Sequence, residues 1–536
     1  MSTSPNIAHH LSILAAERPT QSAVITNEGQ LNFRQLEDES NRCALGLKRI
    51  GIKRATHTAL MVRPGIAFVI LSFALIKLNA TVVLIDPGIG RRNVKKCLEE
   101  AEPEAFIGVP LAHVARIVLG WARTAQICVT VGRIKLWGGP SLEQVMGLAE
   151  QDEFKPEPSN ADEPAALVFT SGSTGTPKGV LYTHGMFSAQ AELLRDHFGI
   201  EPGEIDLATF PLFALFDPFM RVTTVFPEMD FTRPGTVDPL RIIDPIQKYK
   251  VTHMFGSPAL LDRVGRYGKA HGIELSTLKR VLSAGAPISS RVLERFSLLL
   301  GPEADIHTPY GATEALPVCS ISARDVFSQG GTAEGRGVCV GPPISGVELA
   351  VIEIIDEPIL TWSEDLRVPT GTIGELVVWG PNVSPAYWGR PEADRMAKIQ
   401  GEKEEIRHRM GDVGYLDPEG RVWFCGRKSQ RVITSSGTLF TVPCEGIFNA
   451  HPQVFRSALV GVGKAPNHLP VLCVEVEAGA GNSNALKKEI LQLGAAHSQT
   501  REIKDLLFHP SFPVDVRHNA KIGRERLSRW AGNRIS

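Results

Sequence analysis

The run Phe169-Thr170-Ser171-Gly172-Ser173-Thr174-Gly175-Thr176-Pro177-Lys178-Gly179 alternates small hydroxyl residues with glycines and ends on a lysine. Glycines let the backbone approach an anion closely, and Ser and Thr hydroxyls with successive N–H groups supply donors, so the segment suits phosphate. It is not a Walker loop, because Pro177 precedes Lys178 and Gly179 follows it where that pattern needs Ser or Thr. Taken alone, such a run is equally a surface loop. A second cluster, His307-Thr308-Pro309-Tyr310-Gly311-Ala312-Thr313-Glu314, places an aromatic, a hydroxyl and a carboxylate within five residues. The aromatic face can stack on adenine, the threonine can donate to a phosphate oxygen, and glutamate is a hard oxygen ligand for magnesium; the bland alternative is a turn leading into a helix. Upstream, Ser283-Ala284-Gly285-Ala286-Pro287 ends an extended segment with small residues that leave room for a flat base.

Two further segments each offer one charged group for a role. In His408-Arg409-Met410-Gly411-Asp412-Val413-Gly414-Tyr415, Asp412 reads as a loop residue between glycines, suited to accept from ribose hydroxyls, with Arg427 as a complementary donor. In Arg517-His518-Asn519-Ala520-Lys521-Ile522-Gly523-Arg524, Lys521 stands in a loop before a basic helix start, a context in which most lysines are merely solvated.

The elements that must hold these groups read as α/β. Between His57 and Gly108, the runs Ala59 to Val62, Thr81 to Ile85 and Ala105 to Gly108 alternate with helical patterns at Ile66 to Lys77 and Arg91 to Ala101. Alternation returns between Asp206 and Ala284, with helices at Ile242 to Tyr249 and Pro258 to His271 and strands at Val251 to Phe255 and Arg280 to Ala284. From Gly337 to Trp423 short strands are separated by Gly and Pro, as at Gly346 to Ile355 and Gly374 to Trp379. Beyond Lys428, strands at Arg456 to Gly461 and Val471 to Glu477 and a helix at Asn484 to Gly494 form a small α+β unit. The expected organisation is therefore α/β: a large N-terminal domain, 1–427, of two α/β subdomains plus a β-rich subdomain, and a C-terminal α+β domain, 428–536.

Composition narrows the partners. With 536 residues the chain exceeds one core, and a net charge of -1 gives no footprint for nucleic acid. Eight scattered cysteines without a C-x-x-C pair read as reduced thiols of a cytoplasmic protein. Met1 to Pro19 has no basic region followed by an apolar stretch, so no signal peptide is expected there, and Ile7, Leu11, Ile13 and Leu14 space as an amphipathic helix. The most apolar run, Ala67 to Ile76, is too short to span a bilayer and is closed by Lys77, so a buried helix and no transmembrane segment is expected. His9-His10 reads as an exposed helix start rather than a metal site.

In order and spacing, these five segments resemble the acyl-adenylating (AMP-forming) superfamily of acyl-CoA synthetases, luciferases and peptide-synthetase adenylation domains, over nearly the whole chain. That resemblance implies ATP and Mg2+ as cofactors and assigns roles. Thr170 to Lys178 would clasp the pyrophosphate, Gly285 to Pro287 line the adenine pocket and Tyr310 stack on the base. Thr313 would contact the α-phosphate, Glu314 hold magnesium, and Asp412 and Arg427 bind ribose. Lys521, in a mobile C-terminal domain, would bridge the substrate carboxylate and the phosphate. The physics agrees, since a carboxylate attacking an α-phosphate needs cations and oriented donors.

Where members usually carry Lys or Asp as the hinge, two residues after Arg427, this chain has Ser429, and Gly437 to Glu445 is one residue out of register with the pattern of coenzyme-A ligases. A narrower resemblance runs through Phe210 to Pro218, Phe255 to Leu260, Phe512 to Lys521, Ile85 to Ile89 and Pro103 to Pro110: these look like the β-lactone synthetases of bacterial long-chain olefin biosynthesis. It implies a long-chain 2-alkyl-3-hydroxy fatty acid as substrate, whose β-hydroxyl attacks its own activated carbonyl. It also implies two partners in the pathway, an NAD(P)H-dependent reductase and an α/β-hydrolase-like decarboxylase. Phe213, Phe216, Asp217, Phe255 and Gly256 would form the acyl pocket, the phenylalanines being equally good core residues. His184 or Asp217 would serve as base for the β-hydroxyl, a structural histidine being the alternative. Two other readings stay open: a long-chain acyl-CoA or acyl-carrier ligase, and a catalytically silent nucleotide-binding partner in a lipid-processing assembly, against which Glu314 and Lys521 both argue.

Overall fold

The computed structural model describes residues 5–134, 136–149, 153–170, 177–328, 335–477, 479–514 and 521–535. Short β-branched runs that end in Gly or Pro become the strands of a first sheet. Its spatial order is Ile127–Thr130, Ala105–Gly108, His57–Met61, Thr81–Ile85, Pro164–Thr170 and Lys178–Thr183, parallel except for the last pair. A second sheet runs Asp305–His307, Arg280–Leu282, His253–Phe255, Ile205–Leu207, Thr223–Val225, Ser22–Ile25 and Gln30–Asn32. It borrows its last two strands from the N-terminus, a long-range pairing that local patterning does not announce.

Helices Phe33–Arg49, Ile66–Lys77 and His184–Phe198 share one apolar core with side chains of both sheets. Every residue from Phe68 to Lys77 is buried. Lys77 survives there because its ammonium donates to Glu37 Oε2, Ser40 Oγ and Asn41 Oδ1, each at 2.7 Å, which offsets the cost of removing the charge from water. The third sheet is antiparallel, in the order Val338–Gly341, Val422–Arg427, Ile406–Leu416, Gly374–Trp379 and Glu348–Ile352, with Lys398–Gln400 also paired to Ile406–Leu416.

After a 3-10 turn at Lys428–Gln430 the chain forms the sheet Val454–Val462, Leu469–Val476, Asp505–Phe508, covered by helices Thr441–Asn449, Asn484–Ala495 and Arg524–Gly532. This unit packs closely on the third sheet: a Cβ added to Gly426 would lie 2.6 Å from Thr441 Oγ1.

Candidate active site

Strands Pro164–Thr170 and Lys178–Thr183 are the two arms of a hairpin whose tip is the Ser/Gly/Thr run; Ser171, Gly172, Ser173, Thr174, Gly175 and Thr176 lie outside the described residues. Thr170 pairs with Lys178 at the base of the tip. Gly179, opposite Phe169, is fixed by packing rather than by phosphate, since a Cβ there would meet the Phe169 ring at 2.7 Å. The segment following Gly380 stitches this hairpin to a second one. Trp388 N–H donates to Gly179 O at 2.8 Å, Leu181 N–H to Ala386 O at 3.1 Å and Ser384 N–H to Glu314 O at 2.8 Å.

Residues 310–314 do not lead into a helix. Tyr310–Ala312 and Ala315–Cys319 form a tight antiparallel hairpin, with Thr313 and Glu314 at its turn. Gly311 is required because a Cβ would come within 2.6 Å of Ala315 O. Tyr182, buried in the first hairpin, donates its hydroxyl to Thr313 O at 2.9 Å, so the two hairpins are held in register. Gly285 adopts φ +90°, which only glycine takes readily, and turns the chain after strand Arg280–Leu282 so that Ala286 and Pro287 lead away from the sheet.

Asp412 is a strand residue, not the loop residue its flanking glycines suggest. Between Arg409, opposite Val377, and Val413, opposite Glu375, Ile406–Leu416 carries two extra residues, and Gly411 at φ +65° makes the bulge. The bulge leaves Asp412 directly across from Arg427 on the next strand. Arg427 Nη1 lies 2.8 Å from Asp412 Oδ1, and the Tyr310 hydroxyl donates to Oδ2 at 2.6 Å. Burial still outweighs both partners and raises the Asp412 carboxyl above its ordinary range. A carboxylate offers about four lone-pair directions, so further donors can be accepted beside these two.

Two residues that the motifs did not disclose, Tyr387 and Lys398, complete the cluster together with His408 of the Asp412 segment. The buried Tyr387 donates its hydroxyl to Glu314 Oε1 at 2.6 Å, and Lys178 Nζ sits 4.6 Å from the centre of its ring. Lys398 is buried beside them, 5.6 Å from the same ring, and donates to Ser384 O at 2.5 Å. Burial lowers its ammonium to about 8, while Glu314 and Asp394 pull it back up. His408 is held neutral, first by burial and then by Lys398 and Lys178. The signal available in sequence was Tyr387-Trp388-Gly389-Arg390, two aromatics in a Gly-rich connection between strands. Arg390 also anchors the site, donating from Nε and Nη2 to the Glu100 carboxylate and from Nη2 to Pro177 O at 3.2 Å.

Lys178, Lys398 and Arg427 therefore surround Glu314 and Asp412. Three cations gathered around the half-buried Glu314, with Asp412 and Asp394 beside them, suit a polyphosphate together with a hard divalent ion, to which Glu314 could offer an oxygen.

The acyl-pocket residues divide. Phe213 and Phe255 are half-buried, with ring centres 5.1 Å apart. Phe216 is fully buried against Phe187 at 5.7 Å and belongs to the core. Gly256 is fixed by Leu261, whose Cδ2 would lie 2.5 Å from an added Cβ. Asp217 is buried with Asp206 and His253, their ligand atoms within 4.8 Å of one another. Thr224 donates to its Oδ2 at 2.6 Å, while Oδ1 has no partner among the described residues.

His184 is not brought to the cluster. The register sets Thr183 opposite Pro164, at the far end of the hairpin from Thr170 and Lys178, and six residues of strand span about 20 Å. It starts helix His184–Phe198, its N–H donating to Glu163 O at 3.0 Å, and burial lowers its ring to about 4. The strand thus carries this histidine to the start of the helix whose Phe187 packs on Phe216, beside Asp217, and away from the phosphate cluster.

Ser429 is exposed in the turn between sheet and C-terminal unit, and its neighbours hold both sides. Lys428 donates to Ile355 O and Glu375, and Arg431 to both oxygens of Asp356. Gln430 accepts from Arg524, which also donates to Glu445 at 2.9 Å. Lys521 is exposed at the foot of helix Arg524–Gly532.

Comparison with known proteins agrees with this geometry. The family model described as AMP-binding enzyme matches residues 12–388. The chain is 46% identical to the olefin beta-lactone synthetase of Stenotrophomonas maltophilia (strain K279a), over 98% of each chain. It is 45% identical to the olefin beta-lactone synthetase of Xanthomonas campestris pv. campestris, over 99% of this chain and 98% of the relative. Among solved structures, ATP-bound MatB from Rhodopseudomonas palustris superposes over 100% of both chains with a TM-score of 0.81 at 21% identity, a likeness of fold.

Proposed function

Because the chain belongs to the AMP-binding enzyme family, we propose that it is an AMP-forming ligase that converts a long-chain 2-alkyl-3-hydroxy fatty acid to a β-lactone in olefin biosynthesis. The observation that carries this reading is the 46% identity, over 98% of both chains, to a relative named for that reaction. In the first step a substrate carboxylate oxygen attacks the α-phosphorus of ATP and pyrophosphate leaves. In the second, the β-hydroxyl oxygen bonds to the acyl carbon, the carbon–oxygen bond to phosphate breaks, AMP departs and the hydroxyl proton passes to a base. The nucleophile is tethered, so intramolecularity lowers the entropic barrier to a strained ring while the anhydride supplies the driving force.

In this reading Lys178 and the Thr170–Thr176 run hold the β- and γ-phosphates, and Thr313 the α-phosphate. Gly285, Ala286, Pro287, Tyr310, Gly311 and Ala312 receive adenine, and Asp412 with Arg427 receives ribose. Magnesium bound at Glu314 would shield the triphosphate charge against the incoming carboxylate. Lys521 neutralises charge between carboxylate and α-phosphate, carried there by rotation of 428–536 about Ser429. Phe213 and Phe255 face the alkyl chain. His184 and Asp217 are the two candidate bases, the Asp217 carboxyl pushed up by burial to about 7. The eight cysteines are free thiols, in keeping with a cytoplasmic setting, and the pathway's reductase and decarboxylase are the proposed partners.

The test is to incubate the protein with ATP, magnesium and a synthetic 2-alkyl-3-hydroxy fatty acid, with and without coenzyme A, and to identify products by NMR. A β-lactone with AMP, indifferent to coenzyme A, is expected. A thioester formed only with coenzyme A would replace this reading with an acyl-CoA ligase.

A further inference from the structure

Helix Pro110–Leu119 is turned inside out. Its buried positions are Ala112 and His113, and the Nε of Arg116 is buried without a hydrogen-bond partner among the described residues. Leu111, Val114, Ile117 and Val118 face solvent, 72%, 45%, 57% and 72% exposed. At 3.6 residues per turn these four fall within an arc of about 120°, so the apolar stripe that a surface helix normally turns to the core points outward. The loop after edge strand Ile127–Thr130 lies beside this helix. Trp137 stacks on His113 at 5.1 Å with the rings 9° from parallel and donates Nε1–H to Thr130 Oγ1 at 2.9 Å. From that loop Ile134 and Leu136 stand 58% and 90% exposed. Single exposed apolar residues are ordinary, but a group of this kind marks a contact surface.

Charge selects the partner. From Ala105 to Leu142 the chain contains no Asp or Glu, while the exposed Arg123 and Arg133 give that stretch positive charge in a protein of net charge -1; Arg116 is turned to the buried side of the helix, and Lys135 lies outside the described residues. We propose that this face, helix Pro110–Leu119 with Arg133, Ile134 and Leu136 of the adjoining loop, docks on an anionic phospholipid surface. The apolar side chains enter the boundary between headgroups and acyl chains, and the basic ones meet the phosphates. A second copy of the chain seated by symmetry on the same face would bring like charges together. The attachment lies on the bilayer rather than through it: none of the described helices is long and apolar enough to cross a membrane. In the first sheet Ile127–Thr130 is one edge and Lys178–Thr183 the other, five strand spacings or about 24 Å apart. Docking at the first edge therefore leaves the phosphate-loop hairpin clear.

The full chain is floated with vesicles of phosphatidylcholine alone and of phosphatidylcholine mixed with phosphatidylglycerol. It is expected to rise only with the mixed vesicles and to be released by salt. The combined variant Leu111→Ser, Val118→Ser, Leu136→Ser, and separately Arg133→Glu, should cut the bound fraction about tenfold while adenylate formation from a soluble hydroxy acid is retained. Failure of the wild type to float with mixed vesicles, or flotation of the triple variant equal to wild type, overturns the proposal. So does a wild-type oligomer, seen by sedimentation velocity without any flotation and lost in the triple variant, which would assign the face to a second copy.

Discussion

The Tyr387 hydroxyl donates to Glu314 Oε1 at 2.6 Å while its ring lies 4.6 Å beneath Lys178 Nζ, so one side chain orients the proposed metal carboxylate and the proposed phosphate lysine together. Burial and the neighbouring Glu314 charge both push the phenol pKa up, which keeps it a donor throughout the working pH range. Partners that orient metal ligands typically set affinity by 10–100-fold. Tyr387→Phe keeps the ring under Lys178 and removes only the hydroxyl. The magnesium concentration needed for half-maximal ATP–pyrophosphate exchange should rise about tenfold, with the rate at saturating magnesium little changed. An unaltered magnesium requirement would show that the hydroxyl only fills space.

Lys521 stands in the C-terminal unit, apart in sequence from the cluster that holds Glu314 and Asp412. If it acts on the transition state and not on nucleotide binding, Lys521→Ala should lower AMP formation by about 10²–10³-fold and leave the ATP dissociation constant within a few-fold of wild type. Isothermal titration calorimetry beside a turnover assay separates the two. Equal loss of binding would mean the lysine holds ATP rather than the reacting centre.

Much of the architecture was legible. Thr81–Ile85, Ala105–Gly108, Pro258–His271 and Gly374–Trp379 fall where patterning predicts them. The reasons are local: Ser257 caps the Pro258 helix by accepting from Leu260 N–H, and Gly272 closes it in the left-handed region. The site was less legible because its assembly is non-local. Tyr387 reaches Glu314 only through pairing of the 380–390 segment with the Lys178–Thr183 strand, and no spacing within either segment records that. Asp412 read as a loop residue because a bulge inside a strand uses the same glycine that a turn would. His184 follows the phosphate run closely in sequence, but the extended strand between them sets it at the opposite end of the hairpin from Lys178.

Glu375 is buried at the root of the proposed hinge. Its carboxylate accepts from Arg409 at 2.6 Å and from Lys428 at 3.1 Å, and both cations also donate to Ile355 O. Removing one member of such a group leaves uncompensated charge out of water, at a cost of about 3–5 kcal/mol. Glu375→Gln should shift the urea midpoint down accordingly. A variant as stable as wild type would show that the carbonyls alone hold Lys428 and Arg409.

Asp217 offers a test by pH. Burial raises its carboxyl from the ordinary value of 3.8 to about 7, against the opposing hydrogen bond from Thr224. The folded state therefore binds this proton more tightly than the unfolded state. The resulting stabilisation is fully present below about pH 4 and is lost as pH rises through about 7. Asp217→Asn keeps the shape without the charge, so its stability relative to wild type should improve as pH rises from 5 to 8. At 1.36 kcal/mol per pKa unit the improvement is on the order of 2–4 kcal/mol. Thermal unfolding of both proteins across that range measures it. If Asp217 is also the base, the same variant should still release pyrophosphate while failing to close the lactone, a split that stability alone cannot produce. A pH-independent stability difference would mean that Asp206, whose carboxyl is raised by burial and by Asp217, carries the shared proton instead.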